Sequence, residues 1–94
     1  MSGVHLTGRL VCADPDEARV VAGHLEQHVA LTRAEPGCLS FHVEPTPDPL
    51  VWTVAEHFAD AASFAAHQAR VAASEWGRAT AGIERRYTVE GLPD

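Results

Sequence analysis

Three prolines at alternate positions, Pro45, Pro47 and Pro49, interrupt the middle of the chain. A proline lacks the backbone N–H that a helix or an interior strand requires, so neither element continues through this stretch. The residues on each side, 38–44 and 50–58, alternate between apolar and polar side chains, which is the period of a strand. The sequence therefore predicts two strands that are joined by a turn.

The segments on either side of this hairpin each combine a strand with a helix. Residues 4–12 alternate in the same way, and Asp14 followed by Pro15 is a typical helix start. Asp60 is a second such cap, and residues 85–90 form the last alternating stretch. The order is therefore β-α-β-β-α-β, which predicts an α+β domain with a four-stranded antiparallel sheet and both helices on one face.

The chain, residues 1–94, is short enough to form a single domain, with a core expected over about residues 4–90. Its net charge of −6 argues against partners with a phosphate backbone and against anionic membrane surfaces. No apolar run approaches the roughly 20 residues that cross a bilayer, and the first residues lack the pattern of a signal peptide. We therefore expect a cytoplasmic protein that binds neither nucleic acid nor a membrane.

The two cysteines, Cys12 and Cys38, fall on the first and second strands. In this topology the third strand lies between those two, so the cysteines are about two strand spacings, roughly 10 Å, apart. That distance is too long for a disulfide, and we expect two small core thiols.

One face of the predicted sheet has no helix to cover it. That face is too apolar in places to be stable in water, and a second sheet would cover it, which predicts a homodimer. The residues expected to contribute to this face are Val11, Cys38, Val51, Thr53 and Ala55.

A histidine on the second helix is the strongest candidate for chemistry. Phe64, His67 and Val71 stack on one helical face, so His67 points toward the sheet. A buried imidazole suits acid–base work near neutral pH, but position alone favours a core histidine that bonds to a backbone carbonyl. Glu56 shares the apolar strand face of Trp52, and a buried carboxylate requires an arginine or histidine partner.

Two stretches of the chain carry longer motifs. Residues 33–41 are R-A-E-P-G-C-L-S-F, and residues 56–67 are E-H-F-A-D-A-A-S-F-A-A-H. They resemble the R-x-E-x-G-C-x-x-[YF] and E-x-[WFY]-x-D-x-x-[AS]-[FL]-x-x-H patterns of the antibiotic biosynthesis monooxygenase family, over about residues 4–90. The resemblance implies a ferredoxin-like fold that pairs into a dimeric α+β barrel. Many members of that family are cofactor-independent monooxygenases that act on quinols or polycyclic aromatic compounds.

The resemblance leads to a specific hypothesis, which is the oxidation by dioxygen of a small quinol or polycyclic phenol without any cofactor or metal. His67 would be the base, or the hydrogen-bond partner of the phenolate. Glu35 is expected to pair with an arginine or to cap backbone groups. Substrate contacts are predicted from Phe64, Arg70, Trp76, Glu56 and Trp52.

Other functions stay open at this stage. An isomerase that acts on a small oxygenated metabolite also needs a single histidine, and a non-enzymatic, dimeric ligand-binding or stress-associated module needs none. Haem degradation fits poorly. The resemblance implies that a haem-degrading member would have an asparagine on the first strand, and this chain has no asparagine.

The remaining histidines give weaker signals. His24 and His28 stand at i,i+4, a spacing that can hold a metal, but no third ligand is placed beside them and we expect both to face solvent. His42 and His57 lie on adjacent strands, where they could meet a partner chain. The sequence does not decide whether His5 or His57 joins the pocket.

Overall fold

The computed structural model describes residues 3–93 and confirms the predicted order of strands and helices. The elements are β1 (Val4–Val11), α1 (Pro15–Arg33), β2 (Cys38–Pro45), β3 (Val51–Phe58), α2 (Ala61–Ala72), the short α3 (Glu75–Ala79) and β4 (Glu84–Glu90). The sheet order is β2-β3-β1-β4, and every neighbouring pair is antiparallel. β3 therefore separates β1 from β2, as the sequence predicts.

Both long helices begin at the caps expected from the sequence. Asp14 Oδ1 accepts a hydrogen bond of 2.9 Å from the Glu17 backbone N–H, and Glu17 Oε1 accepts one of 2.7 Å from the Ala13 N–H. This arrangement is a variant of the capping box, because Glu17 accepts from the residue before the N-cap instead of from the N-cap itself. Asp60 Oδ1 accepts from the Ser63 N–H at 2.7 Å and fixes the start of α2 in the same way.

The core lies between the helices and one face of the sheet. Alternation along each strand turns one set of side chains toward the helices, and helical periodicity supplies the facing set. The largest contributors are Leu6, Leu10, Val21, Phe41, Trp52, Val54, Phe58, Phe64, Trp76 and Ile83. In residues 3–93 no helix combines the length and the apolar character that crossing a membrane requires.

The start of β2 departs from simple alternation. The pairing with β3 shifts between Cys38 and Ser40, so the chain has an irregularity at Leu39. Strict alternation predicts that Leu39 faces the core with Phe41, but Leu39 is 59% exposed. Cys38 pairs with Phe58 and packs against the core, so its predicted place on the uncovered face is wrong. The extra residue of a bulge changes the face of the sheet toward which the preceding side chains point.

The uncovered face of the sheet is more polar than predicted. It carries Val11, Val51, Thr53 and Ala55 as expected, together with exposed His5 and Arg9. The ring of His5 stacks on that of His57 with centroids 3.9 Å apart. Both histidines therefore lie on the side of the sheet opposite the helices.

Candidate active site

The imidazole of His67 lies between two carboxyl groups. α2 turns His67 inward, where it is 3% exposed. Its Nδ1 is 2.9 Å from Glu35 Oε1, which is hydrogen-bond distance. Its Nε2 is 3.7 Å from Oε1 of Glu56, which is 8% exposed. This distance is too long for a hydrogen bond, but it is within the range of a salt bridge when the imidazole is protonated. We refer to Glu56 and His67 together as the Glu56–His67 unit.

Glu35 is held in place by the neighbouring arginine. Glu35 follows α1, and its Oε2 accepts a hydrogen bond of 2.5 Å from Arg70 Nε. Arg70 Nη2 also donates to Thr32 Oγ1 at 2.9 Å. The expectation that Glu35 pairs with an arginine is confirmed, and Arg70 is a paired side chain instead of a freely solvated one.

Close packing at Gly37 keeps the turn between α1 and β2 against α2. A Cβ on Gly37 would collide with the side chain of Ser63, and the Ala59 N–H donates to the Gly37 carbonyl at 2.8 Å. The start of β2 therefore approaches the start of α2 closely enough for Glu35 to reach His67. The motif R-A-E-P-G-C thus serves to place a carboxylate on the imidazole.

Between the helices and the sheet lies a partly open cavity of about 150 Å³, which we call the inner cavity. Its lining consists of Leu6, His28, Glu56, His67, Gln68, Val71, Trp76, Arg85 and Tyr87. Two buried side-chain atoms among the described residues have no hydrogen-bond partner, and they are Glu56 Oε1 and His28 Nδ1. Both belong to residues of this lining. Since buried polar atoms are nearly always paired, the inner cavity has the character of a ligand site.

Burial sets the protonation of the site near neutral pH. It raises the pKa of Glu56 to about 7, and the charge of Glu35 adds to the effect. Burial lowers the pKa of His67, although the charge and hydrogen bond of Glu35 oppose this. It also lowers the pKa of His28 to about 3 and raises that of Tyr87 to about 12. At neutral pH, His28 and Tyr87 are therefore uncharged, and Glu56 titrates in this pH range.

His28 corrects the prediction that the i,i+4 histidines face solvent. It is 5% exposed, and its ring stacks on Trp76 with centroids 4.3 Å apart and an interplanar angle of 2°. His24 lies outside the inner cavity, and its Nδ1 is 2.9 Å from the Val20 carbonyl. Among residues 3–93, no group of three or more His, Cys, Asp or Glu side chains is arranged to hold a metal.

A comparison with family models matches residues 5–79 to the model described as antibiotic biosynthesis monooxygenase. The chain belongs to the antibiotic biosynthesis monooxygenase family. The match extends from β1 to α3 and therefore includes the positions of Glu35, Glu56 and His67. A search of proteins with curated descriptions finds no match.

Solved structures share the fold of this family member at low sequence identity. SnoaB, a cofactor-independent oxygenase from Streptomyces nogalater, has a TM-score of 0.75 and 13% identity over 100% of this chain and 96% of its own. Rv0793 from Mycobacterium tuberculosis has a TM-score of 0.73 and 20% identity over 97% and 95%. PA3566 from Pseudomonas aeruginosa has a TM-score of 0.70 and 22% identity over 100% and 95%. These similarities establish the ferredoxin-like fold.

The predicted site residues of this monooxygenase-family chain divide into two groups. His67, Glu56 and Trp76 meet at the inner cavity. Phe64 packs edge-on against Phe58, and Trp52 lies in the core, so neither side chain belongs to the cavity lining. Arg70 is also outside this lining, because its guanidinium is bonded to Glu35 and Thr32.

Six residues of the cavity lining were not predicted as site residues from the sequence. They are Leu6, His28, Gln68, Val71, Arg85 and Tyr87. For His28 a signal existed, because it shares a helical face with Val21, seven residues before it.

Proposed function

We propose that this protein is a cofactor-independent monooxygenase that oxidises a small quinol with dioxygen. The observation that carries the proposal is the Glu56–His67 unit on the wall of the inner cavity. The titration of Glu56 near neutral pH lets the same group take a proton and give it back. The family and the cofactor-independent activity of SnoaB support this class of reaction.

The chemistry requires no electron source other than the substrate. Loss of a hydroxyl proton makes the quinol an electron-rich anion, which reduces dioxygen and forms a bond from a ring carbon to one oxygen. The proton held by the enzyme returns to the resulting peroxide. Loss of the ring C–H proton and cleavage of the O–O bond then release the outer oxygen as water. In sum, a hydroquinone and dioxygen give a hydroxyquinone and water.

Each residue of the site has its own role in proton transfer. A Glu35 carboxylate accepts a hydrogen bond from His67 Nδ1–H, which leaves the Nε2 lone pair on the cavity side. A substrate hydroxyl near Nε2 and Glu56 Oε1 can give its proton to this unit. Arg70, which is bonded to Glu35, keeps that carboxylate in place and acts on the reaction through His67.

Oxygen uptake with a panel of hydroquinones and anthrones tests this proposal. His67→Gln keeps a similar volume but cannot take a proton, and we expect it to lower the rate by about 10²–10⁴. His24→Gln is the matched control, because His24 is not part of the cavity lining, and it should retain the wild-type rate. If His67→Gln is as stable and as active as the wild type on a confirmed substrate, the assignment of His67 is wrong.

An isomerase is the second candidate, and the adjacent acid and base of the Glu56–His67 unit favour it. Such an enzyme would move a proton within its substrate and would work equally well without dioxygen. Turnover in an anaerobic cell therefore separates the two functions. Binding of quinols without turnover under either condition would instead indicate a ligand-binding module.

We also propose that two copies pair through the uncovered sheet face. Val11, Val51 and Ala55 lie on that face without a helix to cover them. Pairing would bury these side chains and close the two sheets into an α+β barrel.

A further inference from the structure

We infer that the inner cavity binds a single aromatic ring with two hydroxyl groups, one bonded to Glu56 Oε1 and the other to His28 Nδ1. The inference rests on the proposed function and narrows its substrate to a one-ring hydroquinone. It also assigns His28 as a substrate-binding residue.

The first support is the pair of unpartnered atoms. Glu56 Oε1 and His28 Nδ1 are buried, belong to residues that line the same cavity, and lack a hydrogen-bond partner in the structure. A hydroxyl group both donates and accepts, so it can satisfy a carboxyl oxygen and either tautomer of a neutral imidazole. A ring with two hydroxyls can satisfy both atoms in one binding event, whereas a phenol leaves one of them buried and unpaired.

The second support is the size of the cavity. A volume of about 150 Å³ is comparable to cavities that hold one benzene-sized ring. A fused second ring would extend beyond this volume.

The third support is the rigidity of one wall. The stacked rings of His28 and Trp76 belong both to the inner cavity and to a larger cleft of about 400 Å³ on the outer side of the helices. This pair therefore forms part of the wall of both spaces. Phe41 meets the His28 ring edge-on at 5.3 Å, which further fixes its orientation. His28 is thus pre-positioned, and it remains neutral because burial lowers its pKa to about 3.

Ligand binding under nitrogen tests the inference without any turnover. Hydroquinone and para-fluorophenol have nearly the same shape, but the fluorine cannot donate a hydrogen bond. We expect hydroquinone to bind roughly tenfold more tightly, the effect of one hydrogen bond to a buried group. Naphthohydroquinone should bind roughly tenfold or more weakly than hydroquinone, since a second ring overfills the cavity.

Two variants test the role of His28. His28→Phe keeps the stack on Trp76 and removes the nitrogen, so the preference for hydroquinone over para-fluorophenol should fall to about one. The matched control, His24→Phe, should keep the roughly tenfold preference. Urea unfolding should show His28→Phe to be at least as stable as the wild type, because it removes a buried unpaired nitrogen. If it does not fold, the wild-type ligand series still decides the question.

Equal wild-type affinity for hydroquinone and para-fluorophenol, or a naphthohydroquinone affinity equal to that of hydroquinone, would overturn the inference. These outcomes differ from failure of the proposed function. A protein with the expected binding pattern that consumes no dioxygen would overturn only the oxygenase assignment. A protein that oxidises naphthohydroquinone efficiently and ignores the second hydroxyl would overturn only the inference.

Discussion

Replacing Glu56 with glutamine removes the one buried carboxyl group in the part of the chain that the structure describes and keeps nearly the same side-chain shape. Burial raises the pKa of Glu56 from its ordinary value of 4.5 to about 7. In the unfolded chain the carboxyl returns to its ordinary value. Between pH 4.5 and about pH 7, the folded protein retains a proton that the unfolded chain has released. The contribution of Glu56 to stability is therefore fully present below pH 4.5 and is lost as the pH rises toward 7.

The magnitude follows from the difference between the two pKa values. Each pKa unit corresponds to about 1.36 kcal/mol, so the shift from 4.5 to about 7 limits the loss to about 3 kcal/mol. A glutamine does not titrate. The free energy of unfolding of Glu56→Gln, relative to the wild type, should thus increase by about 2 to 3 kcal/mol between about pH 5 and about pH 8. His28 and His67 are present in both proteins, so their contributions largely cancel.

Urea unfolding at a series of pH values measures this difference. Glu26→Gln is the matched control for the loss of one negative charge, since Glu26 is exposed on α1. A difference between Glu56→Gln and wild type that stays constant with pH would show that the fold does not desolvate this carboxyl. The Glu56–His67 unit would then not be an acid–base pair that titrates near neutral pH.

Three further predictions follow from the site and the sheet. First, kcat/KM for hydroquinone should rise with pH and level off above an apparent pKa near 7, because the Glu56–His67 unit must be able to accept a proton; Glu56→Gln should remove this step. Second, sedimentation equilibrium should give about twice the chain mass of 10.1 kDa, and a monomer at micromolar concentration would exclude the paired sheets. Third, a strong chelator should leave the rate unchanged, and recovery of lost activity on adding a divalent ion would contradict the metal-free proposal.

The fold could be predicted from the sequence because its signals are local. Period-two alternation predicts the strands, the Asp14 and Asp60 caps predict the helix starts, and the triple proline predicts the turn between β2 and β3. The bulge at Leu39 could not be predicted, because a register shift depends on the neighbouring strand.

The candidate site could be predicted only in part. Helical spacing is enough to turn His67 inward, and alternation is enough to bury Glu56. The bond between His67 and Glu35 joins residues 32 positions apart, so it depends on tertiary packing. His28 was misplaced because a polar residue on an apolar helical face is easily assigned to solvent. Its stack on Trp76 explains how the fold accepts it.

Oxidation of methylhydroquinone under isotopically labelled dioxygen tests the central claim most directly. The proposed function predicts enzyme-dependent uptake of dioxygen, with one labelled oxygen atom in the hydroxyquinone and the other in water. His67→Gln should lower the rate of both by the same factor. Two outcomes would contradict the assignment as a monooxygenase. One is oxidation to methylbenzoquinone, with no oxygen added to the ring and all the label in hydrogen peroxide. The other is no uptake of dioxygen above the rate without protein.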